Sequence, residues 1–265
     1  MLLSAAKRKL PFDQSKLDRA FEYEYPIDVA QAFGGLSTFE HGAANGVSYA
    51  IGFVGLDAAL APLDAIQRRA AQAEIVATAK RASRHRAEGH SSKNAATLVM
   101  DFIPHGRTGE LAVLALEGTR TFADGQSEAL NTSWILHVPS GKLIEFDELF
   151  IDPKAVRRKI SEDYRRNIPN RLANYAFIGD DALTEGAAFR AEYRRAALRL
   201  SAPTAEHFRN VSLNAAPDGH FSVQFSNESL ARGDYAGSGA TFKWLRPHLK
   251  PKYGHALDPA SLPNR

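Results

Sequence analysis

The residues with the most reactive side chains are scattered along the chain. His85 and His90 flank Arg86-Ala87-Glu88-Gly89. A zinc-binding helix presents two histidines four residues apart on one face, with further ligands elsewhere. These two are five apart and straddle a helix stop at Gly89, so they read as a solvated helix end. His41, His105, His137 and His220 stand beside loops or on strands and read as structural. Asp180-Asp181 lacks the spacing of a calcium loop. The chain has no cysteine, which excludes a disulfide framework, a thiol nucleophile and a cysteine metal site.

Three short runs imitate catalytic motifs. Ser140-Gly141-Lys142 suggests a phosphate loop, but the glycines of that motif are missing, and the run reads as a hairpin turn. Gly237-Ser238-Gly239 is not a nucleophile elbow. Asp147-Glu148 could serve carboxylate hydrolysis, yet adjacent acids at a helix entrance ordinarily act as caps and dipole partners. Cations cluster at Arg157-Arg158-Lys159, Arg165-Arg166 and Arg194-Arg195, among Glu162, Asp163, Glu185 and Glu192. Arg157, Arg158, Arg165 and Arg166 are the candidate face for an anionic partner, set against a salt-bridged solvated surface. Aromatic residues are not interleaved with this charge, so nucleic acid is not expected. No catalytic, cofactor or metal residue is assigned.

The stretch Thr132 to Phe150 organises the elements that hold these residues. Trp134, Leu136 and Val138 alternate with Ser133, Ile135 and His137, the period of a strand with two different faces. Pro139 to Lys142 is a turn, and Leu143 to Phe146 resumes an extended course. Asp152-Pro153 reads as an N-cap and first helical position. Val156, Ile160 and Tyr164 then form one apolar stripe, and Pro169 is expected to interrupt that helix.

Upstream, Phe21, Tyr23 and Tyr25 predict an edge strand ended by Pro26. Ile27 to Gly55 reads as loop with one short element. Pro62 to Glu88 is a helix with Ile66, Ala70, Ala73 and Ala77 on one face. Thr97 to Pro104 is a strand facing inward with Leu98, Met100 and Phe102. Leu111 to Phe122 is a strand buried on both sides at its start, and a loop follows over Ala123 to Asn131. Downstream come a helix through Phe189, Tyr193, Ala196 and Leu200, and a short one from Ser201-Ala202-Pro203 to Phe208. A hairpin follows over Asn210–Ala215 and His220–Phe225, then a last strand over Ala240–Leu245.

Composition sets wide bounds. The chain has 265 residues, 44% hydrophobic and 24% charged, with a net charge of +3, enough for a real core. The mild positive balance weakly favours an anionic partner. No run of about 18 apolar residues spans a membrane. Met1 to Phe12 holds too short an apolar patch for a secretory leader, so either the chain is cytosolic or its leader lies elsewhere.

The order of elements, with Trp134-x-Leu136-x-Val138-Pro-Ser-Gly-Lys-Leu-Ile-Glu-Phe-Asp-Glu-Leu-Phe150, Phe208 to Phe225, and Leu230 to Leu249, resembles the RsiV-like domain family of bacterial cell-envelope proteins. The likeness covers about Thr97 to Pro251. Its members include the lysozyme-sensing ectodomain of an anti-sigma factor and an accessory domain of a peptidoglycan deacetylase. Relatives usually carry a Gly-Gly-Ala-His segment between the central strands. Here that loop reads Ala123-Asp124-Gly125-Gln126-Ser127, which makes Asp124, Gly125 and Gln126 candidates for an altered partner contact.

The expected fold is α+β, an antiparallel, meander-rich sheet of roughly five to seven strands with helices over one face. The expected organisation is a basic arm over 1–18, one domain over 19–255 and a tail over 256–265. Within that domain the halves are 19–95 and 96–251. The resemblance implies a non-enzymatic binding module of the cell envelope, periplasmic or otherwise extracytoplasmic. Its partner would be a wall glycan or polymer, or another envelope protein. A lysozyme partner is disfavoured, because those lysozymes are typically basic and so is this chain. The alternatives are a cell-wall hydrolase using paired carboxylates and a cytosolic interaction protein.

Overall fold

The computed structural model describes residues 38–87, 95–175, 186–214, 219–229 and 235–258. The expected arm, the strand through Phe21 and Tyr25, His90 and Asp180-Asp181 lie outside them. The chain is α+β. One sheet has six strands in the order β1 to β6: Thr38–Ala44, Val47–Phe53, Ala96–Arg107, Leu111–Thr121, Ser127–His137 and Lys142–Ile144. A second sheet has three: β7 (Asn210–Asn214), β8 (His220–Ser229) and β9 (Tyr235–Thr241). The helices are α1 (Ala61–Ala87), α2 (Pro153–Tyr175), α3 (Gly186–Leu200) and the single turn α4 (Phe242–Leu245). Among the described residues no helix is long and apolar enough to cross a membrane.

The chain divides into two compact units, and the divisions fall inside strands. One unit runs to Pro104 and takes in Leu116–Leu130; the other holds His105–Ala115 and Asn131 onward.

In the first unit, the segment read as loop contains a hairpin. Asn45 and Gly46 both have positive φ, 55° and 75°, the geometry of a tight two-residue connection. They join β1 to β2 in antiparallel register from Thr38↔Phe53 to Ala44↔Val47. The many small residues hid the alternation, but the Asn-Gly pair was its readable signal. β2 then pairs with β3 in parallel, a connection that needs a crossover, and α1 supplies it.

The buried stripe of α1 is Leu63, Gln67, Ala71, Ile75, Thr78 and Ala82, not the row through Ile66, Ala70, Ala73 and Ala77. Gln67 decides this rotation. Its amide accepts from the Val54 N–H at 2.9 Å and donates to the Val54 carbonyl at 3.0 Å. A glutamine that satisfies both backbone groups at a strand end belongs inside. As expected, Leu98, Met100 and Phe102 face the core, and Phe102 stacks on Phe53 with ring centroids 5.6 Å apart.

In the second unit, Leu111 to Ala115 are fully buried, as the apolar run predicts. Gly141 turns the chain at φ 63°, and Glu145 and Glu148 form a reciprocal capping box around a 3-10 turn, with Glu145 in the place that serine or threonine ordinarily takes. Extended structure therefore ends at Ile144, before Phe146. Asp152 Oδ1 accepts from the Ala155 N–H at 3.0 Å, and Val156, Ile160 and Tyr164 line the core. Helix α2 continues through Pro169 to Tyr175, which corrects the expected interruption.

Two further corrections concern the C-terminal end. Thr241 caps α4 by accepting from the Trp244 N–H at 3.2 Å, so Phe242–Leu245 is helical rather than a strand. The residues that follow are held by 3-10 turns at Arg246–His248 and Pro251–Tyr253. Leu249, Tyr253, Ala256 and Leu257 are buried, so the segment read as the start of a tail belongs to the core. Thr108 Oγ1 donates to the Ala256 carbonyl at 2.6 Å and fixes it there.

Candidate functional site

The arginine face expected on α2 does not present itself as a unit. Arg157 is 7% exposed. Its Nε donates to the Pro203 carbonyl at 3.0 Å, and its guanidinium pairs with Asp147. Arg165 donates to Ser201 Oγ at 3.1 Å and to the Leu198 carbonyl at 3.0 Å. Arg166 is 70% exposed but pairs with Asp163 at 3.2 Å, as does Lys159 at 2.7 Å. Arg158 alone of the four is exposed with no ion pair among the described residues. Asp163 is thus the centre of a surface network, and Arg157 is a strut between the entrance and exit of the helical region.

Asp124, Gly125 and Gln126 form the exposed tip of a tight turn in the first unit. The Phe122 N–H donates to the Gln126 carbonyl at 2.8 Å, and the Gln126 N–H donates to Asp124 Oδ1 at 2.9 Å. These side chains and backbone groups close the turn itself.

Side chains with hydrolytic types meet at two places. In the second unit Ser140 Oγ lies 2.8 Å from His137 Nδ1, and Glu110 Oε2 lies 3.7 Å from His137 Nε2. This is the order of a serine, histidine and acid relay. The acid stands beyond hydrogen-bond reach, however, and Ser140 Oγ also donates to the His137 carbonyl at 3.3 Å. The bonds close the 3-10 turn before Gly141.

In the first unit Asp101 is pushed up to about 6, first by burial and then by the charge of Glu117. Gly52 makes room for it: a Cβ there would stand 2.0 Å from Asp101 Oδ1. Because the folded value lies above the unfolded one, the unfolded chain ionises first. Stability is therefore lost as pH rises from about 4 to about 6, and it stays lost above that. Asp101→Asn should remove this dependence and stabilise the protein at pH 7 by about 2 kcal/mol, allowing for partial solvent screening. Urea denaturation of both proteins at pH 4.5 and 7 checks it: equal pH dependence in the two would contradict the assignment.

The C-terminal segment Phe242–Asp258 is different in kind. It holds Lys243, Arg246, Lys250 and Lys252 against Asp258 alone. It therefore takes four of the 33 cations and one of the 30 anions, leaving 29 of each sign elsewhere. The whole net charge of +3 resides in this segment. Arg246 pairs with Asp258 at 3.3 Å. Lys243, Lys250 and Lys252 form no ion pair among the described residues, and Lys252 lies over the Tyr253 ring at 4.6 Å. Trp244 and His248 pack with ring centroids 4.5 Å apart at 37°. Reading Ala240–Leu245 as a strand and 256–265 as a tail missed this cluster; the signal was the run of cations alternating with aromatic residues.

No family model matches the chain, and no curated protein is similar to it. Among solved structures it is similar to a DUF3298 family protein from Pseudomonas aeruginosa PAO1. The identity is 11%, the coverage 82% of this chain and 93% of that chain, and the TM-score 0.51. It shares its fold with that protein. A DUF3298 family member from Bacteroides fragilis NCTC 9343 is also similar, at 11% identity over 85% of this chain and 96% of that one, with a TM-score of 0.49.

Proposed function

We propose that this chain is a non-enzymatic binding module of the bacterial cell envelope whose ligand is an anionic wall polymer. The observation that carries the reading is the concentration of net positive charge in Phe242–Asp258 on lysines that form no ion pair among the described residues. Surface lysines beside buried anchors raise the local concentration of polyanions and hold them by many weak contacts. The envelope setting is drawn from the resemblance of Trp134–Phe150, Phe208–Phe225 and Leu230–Leu249 to RsiV-like domains. A leader or lipobox in an upstream extension of the reading frame is the outcome expected of that setting. Retention of a tagged full chain in the cytosol would contradict it.

The contact surface is the C-terminal segment. Pull-down on purified peptidoglycan and on a set of anionic envelope polysaccharides tests the reading. Retention is expected at low salt, weakened by about 0.2 M salt as screening shortens the reach of each charge. Lys243→Glu, Lys250→Glu and Lys252→Glu together should abolish it. No retention of the unmodified chain under any condition would defeat the reading, and an envelope protein partner would then be sought.

A further inference from the structure

We infer that Trp244 and His248 form a stacking platform for a sugar ring, which makes the ligand an anionic glycan and not a ring-free polyanion. The inference rests on the polymer-binding reading and narrows its ligand class.

The platform is held at both ends. Thr241 Oγ1 accepts from the Trp244 N–H at 3.2 Å, and the His248 carbonyl accepts from the Ile151 N–H at 2.8 Å. Trp244 also packs against the buried cluster of the second unit. Those two bonds fix the backbone, and the ring contact and the packing of Trp244 on the cluster hold the side chains, so binding loses little side-chain freedom. The ring centroids are 4.5 Å apart at 37°, so the rings lean face to face on one another and a ligand would meet the outer side of the pair. Trp244 and His248 are only partly buried, leaving part of that surface open. Ile151, bonded to His248 through the backbone, is 63% exposed and extends the apolar area.

A pyranose ring carries one face of C–H groups and a rim of hydroxyls. The C–H face suits an aromatic ring, and the rim stays hydrated, the amphipathic contact that aromatic residues favour at interfaces. Lys243 directly precedes Trp244, and Arg246 and Lys250 flank His248 in the chain. Arg246 is engaged by Asp258 and the Leu257 carbonyl, so Lys243 and Lys250 would take the carboxylates of an acidic sugar chain. Charge alone would hold polyphosphate equally well. The aromatic pair adds a term that only a ring-bearing polymer can use.

The test measures binding of the full chain to polygalacturonate and to polyphosphate at matched charge and salt, with circular dichroism to verify folding. His248→Ala should weaken polygalacturonate binding roughly fivefold to tenfold and leave polyphosphate binding unchanged. His248 engages Trp244 through its ring and Ile151 through its backbone, so its truncation spares the core. Trp244→Phe, which keeps an aromatic anchor in the core, should give a smaller loss in the same direction. Equal loss for both polymers, or none for either, would overturn the platform. Binding of polyphosphate but not polygalacturonate by the unmodified chain would also overturn it and leave the polyanion reading standing. Binding of neither would overturn both.

Discussion

Gly106→Ala is expected to destabilise the second unit by about 4 kcal/mol, lowering its melting temperature by roughly 8 to 16 °C. Two independent effects add at this position. Gly106 has φ 110°, a conformation that residues with a Cβ rarely adopt. A Cβ there would also stand 1.8 Å from the Leu213 carbonyl oxygen and 2.9 Å from the Leu213 Cβ. The obstructing atoms include backbone of β7, so no rotamer change relieves the clash. Gly125 and Gly141 also have positive φ, 85° and 63°, but a Cβ at either meets nothing within 4 Å. Alanine at those turns should therefore cost only about 1 kcal/mol. Thermal denaturation of the three variants checks the contrast. Equal losses in all three would show that φ alone matters and that the close approach to Leu213 does not.

Arg157→Ala is expected to cost about 3 kcal/mol of stability, with Arg158→Ala within about 0.5 kcal/mol of the unmodified chain. Arg157 joins Asp147, before α2, to the Pro203 carbonyl, after α3. Removing it leaves a void around a side chain 7% exposed and strips a charge-assisted partner from Asp147. The comparison has a functional consequence. Charge reversal at Arg157, Arg158, Arg165 and Arg166 together would perturb folding through Arg157, and lost polymer retention would then be ambiguous. Urea denaturation of the two single variants separates the cases. Equal, small effects from both would mean that Arg157 is an ordinary surface cation.

The elements with a clean period were legible in the sequence. Val156, Ile160 and Tyr164 point inward because a four-residue apolar spacing on a helix admits one buried face. Leu98, Met100 and Phe102 do so because alternation on a strand admits the same conclusion. The stripe of α1 was misplaced because Gln67 is polar by type yet buried by virtue of its two bonds to Val54, a tertiary fact. Arg157 was misread for the same reason: its partners lie 10 and 46 residues away. The β1–β2 hairpin was hidden by alanines and glycines, which carry little periodic signal.

The candidate site was the least legible part, although its residues were plain to see. Lys243, Arg246, Lys250 and Lys252 surround Pro247 and Pro251, and prolines ordinarily mark a tail. Here each proline opens a 3-10 turn, and Leu249, Tyr253, Ala256 and Leu257 anchor those turns in the core. The lysines are thereby displayed from a fixed backbone. By contrast the arginines of α2, which look like a positive face on a helical projection, are largely engaged by Asp147, Asp163, Ser201 and Leu198. Charge that is already paired contributes little further attraction.

The salt dependence of binding to an acidic glycan, compared between two charge variants, tests the central claim most directly. One variant carries Lys243→Gln, Lys250→Gln and Lys252→Gln; the other carries Arg158→Gln and Arg166→Gln. A ligand held by the C-terminal segment predicts that the first variant binds at least roughly tenfold more weakly at low salt, with a flatter dependence of log K on log salt. The second variant should keep nearly the original slope. A flattened slope in the second variant with the first unchanged would contradict the account and return the contact surface to helix α2.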